Sequence, residues 1–243
     1  MRYKCIVAYD GNNYVGFQSQ INGTAIQDVI ESVIKKIFRE DIRIIMASRT
    51  DSGVHAYGQV FHFDATKEIN EHKLKHSMNS LLPKDIHIKH IEIVDENFHA
   101  RFNVKSKKYL YRINIGEYDV FKHGYVYECH YELNLDLMKE ATKLFIGKHD
   151  FGTFNTTSYD LVNDQVREIY KLDLILVDDE LRVEIVGDGF LRHMVRMIVG
   201  TLIDLGRGQK TIDEVKDMID HPSKTTRRYN IDPNGLYLVE IYY

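Results

Sequence analysis

The same order of hydrophobic periodicities occurs twice in this 243-residue chain, and that repeat limits its fold more than any other feature. Arg2 to Tyr9 alternates as a strand does. Thr24-Ala25-Ile26-Gln27 has the spacing of a capping box, and Ile26, Val29, Ile30, Val33, Ile34, Ile37 and Phe38 then follow helical spacing. Ile42 to Met46 and Tyr57 to Phe63 read as strands. Leu74, Met78, Leu81 and Leu82 share one helical face that Pro83 ends, and Ile86 to Val94 gives a further strand. The order is β-α-β-β-α-β. In the second half Tyr109 to Ile115 alternates, Leu135 to Phe145 reads as a helix, and Val166 to Val177 and Leu181 to Val186 form a hairpin through Asp178-Asp179-Glu180. Phe190 to Leu205 is an apolar helix carrying cations, and Leu236 to Ile241 is a last strand. Two split βαβ units in tandem imply an α+β fold of two ferredoxin-like domains with largely antiparallel sheets. The boundary falls near Asn103, giving domains 1–103 and 104–243. A groove between two such sheets suits RNA.

Charge is uneven along the chain. The net charge is −4, yet Arg101 to Arg112 holds Arg101, Lys105, Lys107, Lys108 and Arg112 with no acid among them. Gly189 to Lys210 holds Arg192, Arg196, Arg207 and Lys210 against Asp204 alone, and His221 to Asn230 holds Lys224, Arg227 and Arg228. The acids gather elsewhere, for example Asp173, Asp178, Asp179, Glu180 and Glu184. Local basic surface on an acidic chain is what phosphate contacts need, although solvated charge runs are the plainer alternative. No apolar run approaches the roughly 20 residues that cross a bilayer. The N-terminal residues lack a secretory leader, and Cys5 and Cys129 make no disulfide framework. The expectation is a cytoplasmic protein with no membrane contact.

Several motifs fail on inspection. Gly11 to Gly16 has the glycine spacing of a phosphate loop but is followed by Phe17-Gln18, without the lysine. Gln209-Lys210-Thr211 has the lysine and lacks the glycine before it. Gly187-Asp188-Gly189 places Arg192 where a dinucleotide loop needs glycine. The histidines and cysteines show no zinc-like spacing, so no metal is expected.

One turn stands out. In "ASRTDSGVH", Ala47 to His55, an apolar strand ends in Arg49 and Asp51 with Gly53 just after. A carboxylate at a strand end is exposed enough to meet a substrate and fixed enough to aim. A capping role for Asp51, with Arg49 as its surface partner, is the alternative.

The neighbours favour chemistry. "SRTDSGVHAYGQVFHF" resembles the catalytic segment of the tRNA pseudouridine synthase A family. "YDGNNYVGFQSQ", "TAIQDVI", "MNSLLPKDI", "FHARFNVKSKKYLYRI", "HDFGTF", "FLRHMVRMIVGTLIDLGRG" and "GLYLVEIYY" resemble the same family in the same order. The resemblance implies isomerisation of uridine to pseudouridine in tRNA, at positions 38, 39 and 40 of the anticodon stem-loop, without a cofactor. It implies a homodimer and a basic active-site cleft flanked by the two sheets. By the same resemblance Asp51 is the indispensable carboxylate, Arg196 its basic partner and Tyr109 the residue that stacks on the target base. Arg49 supports the flipped nucleotide, and Leu236 is an apolar wall of the pocket. Tyr111 is the core tyrosine of the same strand. Lys105, Lys107, Lys108, Arg192 and Arg207 are candidates for the RNA backbone. The family pattern is not matched throughout: Phe17 replaces tryptophan, Ser52 replaces alanine, and "TTRRYNIDPN", Thr225 to Asn234, replaces a small-residue approach to "GLYL". The last difference bears on which uridines are chosen and leaves a paralogue with other targets as an alternative. A non-catalytic RNA-binding module is the competing class, but "KKYLYRI" lacks the glycines of its signature.

Overall fold

A computed structural model describes residues 1–157 and 164–243. The elements in chain order are β1 (Arg2–Tyr9), α1 (Ile26–Phe38), β2 (Ile45–Met46), β3 (His55–Asp64), α2 (Glu71–Leu81), β4 (Ile86–Val94), β5 (Ser106–Asn114), β6 (Tyr127–Glu128), α3 (Leu135–Thr142), β7 (Gly147–Asp150), β8 (Val166–Val177), β9 (Glu180–Gly187), α4 (Met194–Gly206), α5 (Ile212–Asp220) and β10 (Leu236–Tyr242). Mixed α and β elements with mostly antiparallel strand pairs make this an α+β fold. The chain divides into two compact units, Met1–Lys105 with Tyr237–Tyr243, and Ser106–Leu236.

In the first unit β1 lies between β4 and β3, antiparallel to both. The far edge of β3 is shared: β2 pairs with Phe61 and His62, and Tyr237 and Leu238 of β10 pair in parallel with His55 and Ala56. Alternate residues of β1, Tyr3, Cys5, Val7 and Tyr9, are buried, as period-2 patterning requires. Phe38 at the end of α1 packs on Tyr3 and Phe63, with ring centroids 6.1 and 5.8 Å away. Burying one such aromatic contributes about 1.5–3 kcal/mol. A register shift between Ile6 and Val7 interrupts the β1–β4 ladder, and the Asn79 amide of α2 bonds both the N–H and the carbonyl of Ile88, at 2.8 and 2.9 Å.

Local forces moved some boundaries from their sequence-derived places. The strand expected at Ile42 to Met46 shortens to Ile45–Met46, because the Glu31 carboxylate of α1 takes the Ile44 N–H at 3.0 Å. The Thr24–Gln27 capping box does not form. The N-cap is Ala25, whose N–H donates to Asp28, and the carbonyls of Gly16 and Phe17 accept the N–H groups of Ile26 and Gln27. Gln27 instead bonds Ser19 and Glu31. On α2 it is Leu74 and Met78 that are buried, while Leu81 is 47% exposed.

In the second unit the strands run β5-β9-β8-β7, all antiparallel, with β6 parallel to β5. The β8–β9 hairpin turns on Asp178 and Asp179, and Asp178 takes the left-handed φ of 52° that a tight hairpin needs. Helix α4 is buried on every side except at Asp204, as its continuous apolar run requires. It starts at Met194 rather than Phe190, because His193 adopts a left-handed φ of 63° and breaks the run. Helix α5 is not among the elements expected from sequence, although Ile212, Val215, Met218 and Ile219 have helical spacing. Thr211 starts it: its hydroxyl accepts the Glu214 N–H at 3.2 Å and its N–H donates to the Glu214 carboxylate at 2.7 Å.

Candidate active site

The turn that carries Asp51 is clamped by the glycine-spaced loop rejected above as a phosphate cradle. The Thr50 carbonyl accepts the Phe17 N–H at 3.3 Å, and the Tyr14 carbonyl accepts the Gly53 N–H at 3.4 Å and the Ser52 hydroxyl at 3.2 Å. Tyr9 and Thr50 join their hydroxyls at 2.8 Å, and the Gly11 N–H donates to Nδ1 of buried His55 at 3.1 Å. Two glycines allow this closeness. A Cβ on Gly11 would lie 2.1 Å from the Val54 carbonyl oxygen, and one on Gly16, at φ 108°, would lie 2.5 Å from that of Thr50. These glycines serve backbone packing, not phosphate binding.

The loop is anchored in turn. Asp85 Oδ1 accepts the Tyr14 hydroxyl at 2.7 Å, Oδ2 accepts the Asn13 amide at 3.4 Å, and the Asp85 carbonyl accepts the Asp10 N–H at 2.9 Å. Burial and the Asp85 carboxylate raise the Tyr14 hydroxyl far above its ordinary pKa, so it stays a donor. Upstream, buried Gln59 bonds the carbonyl and N–H of Ser48 at 2.6 and 3.3 Å. Asp51 itself is half-buried, and Arg49 is exposed. The short segment from Ser48 to His55 is therefore fixed at both ends, with half-buried Asp51 between them. Tyr14, Asp85 and Gln59 are not among the residues that the sequence singles out; the signal that reaches them is that each lies within a segment resembling the family.

In the second unit Arg196 sits one turn into α4 and is 9% exposed. Its Nε donates to the Ile231 carbonyl at 2.6 Å. The Tyr111 hydroxyl donates to the neighbouring Asp232 carbonyl at 2.6 Å, and burial raises that hydroxyl well above its usual pKa while the Arg196 charge opposes the shift. A Cβ on Gly200 would lie 2.0 Å from the Tyr229 carbonyl oxygen, so residues 229–232 lie against α4. The unusual segment "TTRRYNIDPN" is thus the seat of the buried arginine.

Tyr109 lies on β5 beside Ile185 of β9, is 6% exposed, and meets Phe190 edge-on with centroids 5.1 Å apart. Tyr111, two residues on, is fully buried core. Leu236, the first residue of β10, is buried. The candidate backbone contacts differ among themselves. Lys105 and Arg192 are exposed, and Lys107 is half-buried. Lys108 pairs with Glu184 at 2.8 Å, and the Arg207 guanidinium lies 3.4 Å above the Tyr131 ring centre. Arg112 grips Glu180 through two bonds of 2.9 and 2.7 Å. Acids that looked remote in sequence thus stand beside the basic strand, because β9 pairs with β5. Among the described residues no group of three or more His, Cys, Asp or Glu could hold a metal ion, and no helix is long and apolar enough to cross a membrane.

Comparison with known proteins places these features in a family. A family model described as tRNA pseudouridine synthase matches residues 5–103 and 141–243. The tRNA pseudouridine synthase A of Bacillus subtilis (strain 168) is 42% identical over 246 residues, covering 100% of this chain and 99% of that protein. Those of Geobacillus sp. (strain WCH70) and Exiguobacterium sp. (strain ATCC BAA-1283 / AT1b) are 40% and 41% identical, each covering 100% of this chain and 98% of the relative. The chain belongs to the tRNA pseudouridine synthase A family, the isomerases of tRNA uridine.

Proposed function

We propose that this chain converts uridine to pseudouridine at positions 38, 39 and 40 of the tRNA anticodon stem-loop, as a cytoplasmic homodimer, with Asp51 as the catalytic carboxylate. The observation that carries the reading is the clamped turn: backbone and side-chain bonds fix the residues on either side of Asp51, which is itself half-buried. Rigid support of that kind is what a reacting group needs and what a solvated turn does not. We also assign 1–103 and 104–243 as two ferredoxin-like domains, a reading supported by the β4-β1-β3 order with β2 beyond it and by a second run of antiparallel strands, β5-β9-β8-β7, interspersed in the chain with α3, α4 and α5.

The chemistry is balanced within one nucleotide. The bond between ribose C1′ and N1 of uracil breaks, the base turns, C5 bonds to C1′, and the hydrogen leaving C5 is matched by one gained at N1. Ionised Asp51 starts this either as nucleophile or by taking a ribose proton. Arg196 supplies positive charge for that carboxylate, Tyr109 stacks on the base and Leu236 closes its apolar side. Arg49 supports the flipped nucleotide, whose unstacking costs a few kcal/mol. Lys105, Lys107, Lys108, Arg192 and Arg207 are assigned to the tRNA backbone, with Lys108 and Arg207 exchanging their present partners for phosphate.

The test is to map pseudouridines in tRNA after incubation with the protein and with Asp51→Asn. The wild type should modify positions 38 to 40. The variant should fold and bind tRNA normally and make no pseudouridine. Turnover by Asp51→Asn would remove the carboxylate from the reaction, and tRNA binding without turnover by the wild type would favour a non-catalytic RNA-binding module.

A further inference from the structure

The segment Phe98 to Asn103 carries an aromatic side chain that packing does not explain. Phe102 is 75% exposed, though phenylalanine is normally among the most buried side chains. It does not project freely. Its ring stacks on His99, with centroids 4.2 Å apart and planes 26° from parallel. The His99 ring is itself fixed, because its Nδ1 accepts the N–H groups of Arg101 and Phe102, each at 3.2 Å. Beneath it the buried His62 ring stands edge-on at 5.0 Å, and His62 Nδ1 accepts the Ala100 N–H at 3.1 Å. The exposed Arg101 guanidinium lies 5.9 Å from the Phe102 ring centre. Lys105 is exposed a few residues on, and no acid interrupts the chain from Arg101 to Arg112.

We infer that Phe102, backed by His99 and flanked by Arg101, is a stacking platform for one unpaired base of the RNA substrate, with Arg101 meeting the adjoining phosphate. This inference rests on the proposed tRNA activity and adds a contact to it. A flat ring supported from one side offers its other face to any base, since every base has a π-face, and the neighbouring cations provide the complementary charge. Fixing the ring in advance lowers the ordering cost of binding. The platform reads an unpaired base because bases in a duplex already stack on one another.

The experiment titrates a full tRNA transcript and a blunt RNA duplex into the wild-type chain, Phe102→Ala, Phe102→Trp and Arg101→Ala, read by fluorescence anisotropy. Thermal melts and sedimentation accompany each variant. Phe102→Ala should raise the Kd for tRNA about fivefold or more and leave duplex binding unchanged. Phe102→Trp should restore it. Arg101→Ala should weaken both RNAs and lower the slope of log affinity against log salt by about 1. Unchanged tRNA affinity in Phe102→Ala overturns the platform, as does equal loss toward tRNA and duplex. A change of sedimenting mass in Phe102→Ala would show the ring to be covered by a second copy of the chain and also overturns it. A wild type that makes pseudouridine beside an unaffected Phe102→Ala removes only the platform, whereas a wild type inert toward tRNA removes both readings.

Discussion

Asp51 is held by its neighbours rather than by its own sequence context. Gly16 shows how narrow the tolerance is: its φ of 108° and the Thr50 oxygen 2.5 Å from any added Cβ leave no room for a side chain. Gly16→Ala should therefore cost about 2 kcal/mol or more and displace the Thr50 carbonyl next to Asp51. Pseudouridine formation should fall well below wild type even at temperatures where circular dichroism shows the variant folded. The turn is readable in the sequence through the resemblance of "SRTDSGVHAYGQVFHF" to the family, since Asp, Ser and Gly alone are ordinary turn residues. The supporting groups Tyr14, Asp85 and Gln59 are not legible as supports, because each reaches the turn across a long sequence separation through a single side chain. Arg196 illustrates the same limit. It lies in an apolar run, and one of its partners is the backbone carbonyl of Ile231, a group that leaves no mark in composition.

Among the elements, those with long regular periods were legible. Helix α1, the alternating strand β1 and the β8–β9 hairpin formed where their patterns put them. Short elements depended on single hydrogen bonds. β2 lost its first residues to one glutamate, and α5 owes its start to a Thr-Glu box of the kind that sequence can show. The similar spacing at Thr24 gives no box, because the Gly16 and Phe17 carbonyls already cover that helix end. Thr211→Ala should destabilise the second unit by about 1 kcal/mol through loss of the cap, seen as a lower midpoint in urea with an unchanged slope. An unchanged midpoint would mean that burial of Val215, Met218 and Ile219 holds α5 by itself.

For the molecule as a whole, the groups buried with or without a counter-charge set the response to acid. Burial pushes His62 down to about 4, with the Arg2 charge adding to the effect, so it stays neutral in the folded chain. Its depressed value means that stability from this group is present at neutral pH and is lost as pH falls from about 6.5 toward 4. Glu180, bonded to Arg112 and Arg182, is held at about 2, below its ordinary 4.5. Its contribution is likewise present above its ordinary value and is lost as pH falls from 4.5 through 2. Unfolding free energy should therefore decline from about pH 6.5 downward and steepen below about 4.5, in urea titrations across that range. His62→Phe should flatten the upper part of the decline and Glu180→Gln the lower part. A decline unaffected by both variants would place the acid response elsewhere.

The amino-acid order alone fixed the kinds and succession of the main elements, because hydrophobic period is a local property that each segment carries by itself. It also marked the Asp51 turn, through the family resemblance of the residues around it, since an acid and a glycine at a strand end are common by themselves. Only tertiary structure decided which glycine-spaced loop holds that turn, which carbonyl receives Arg196, and which cations of the basic strand already have acidic partners. Those outcomes depend on distances between residues far apart in the chain, and such distances exist only once the strands have paired and the helices have packed.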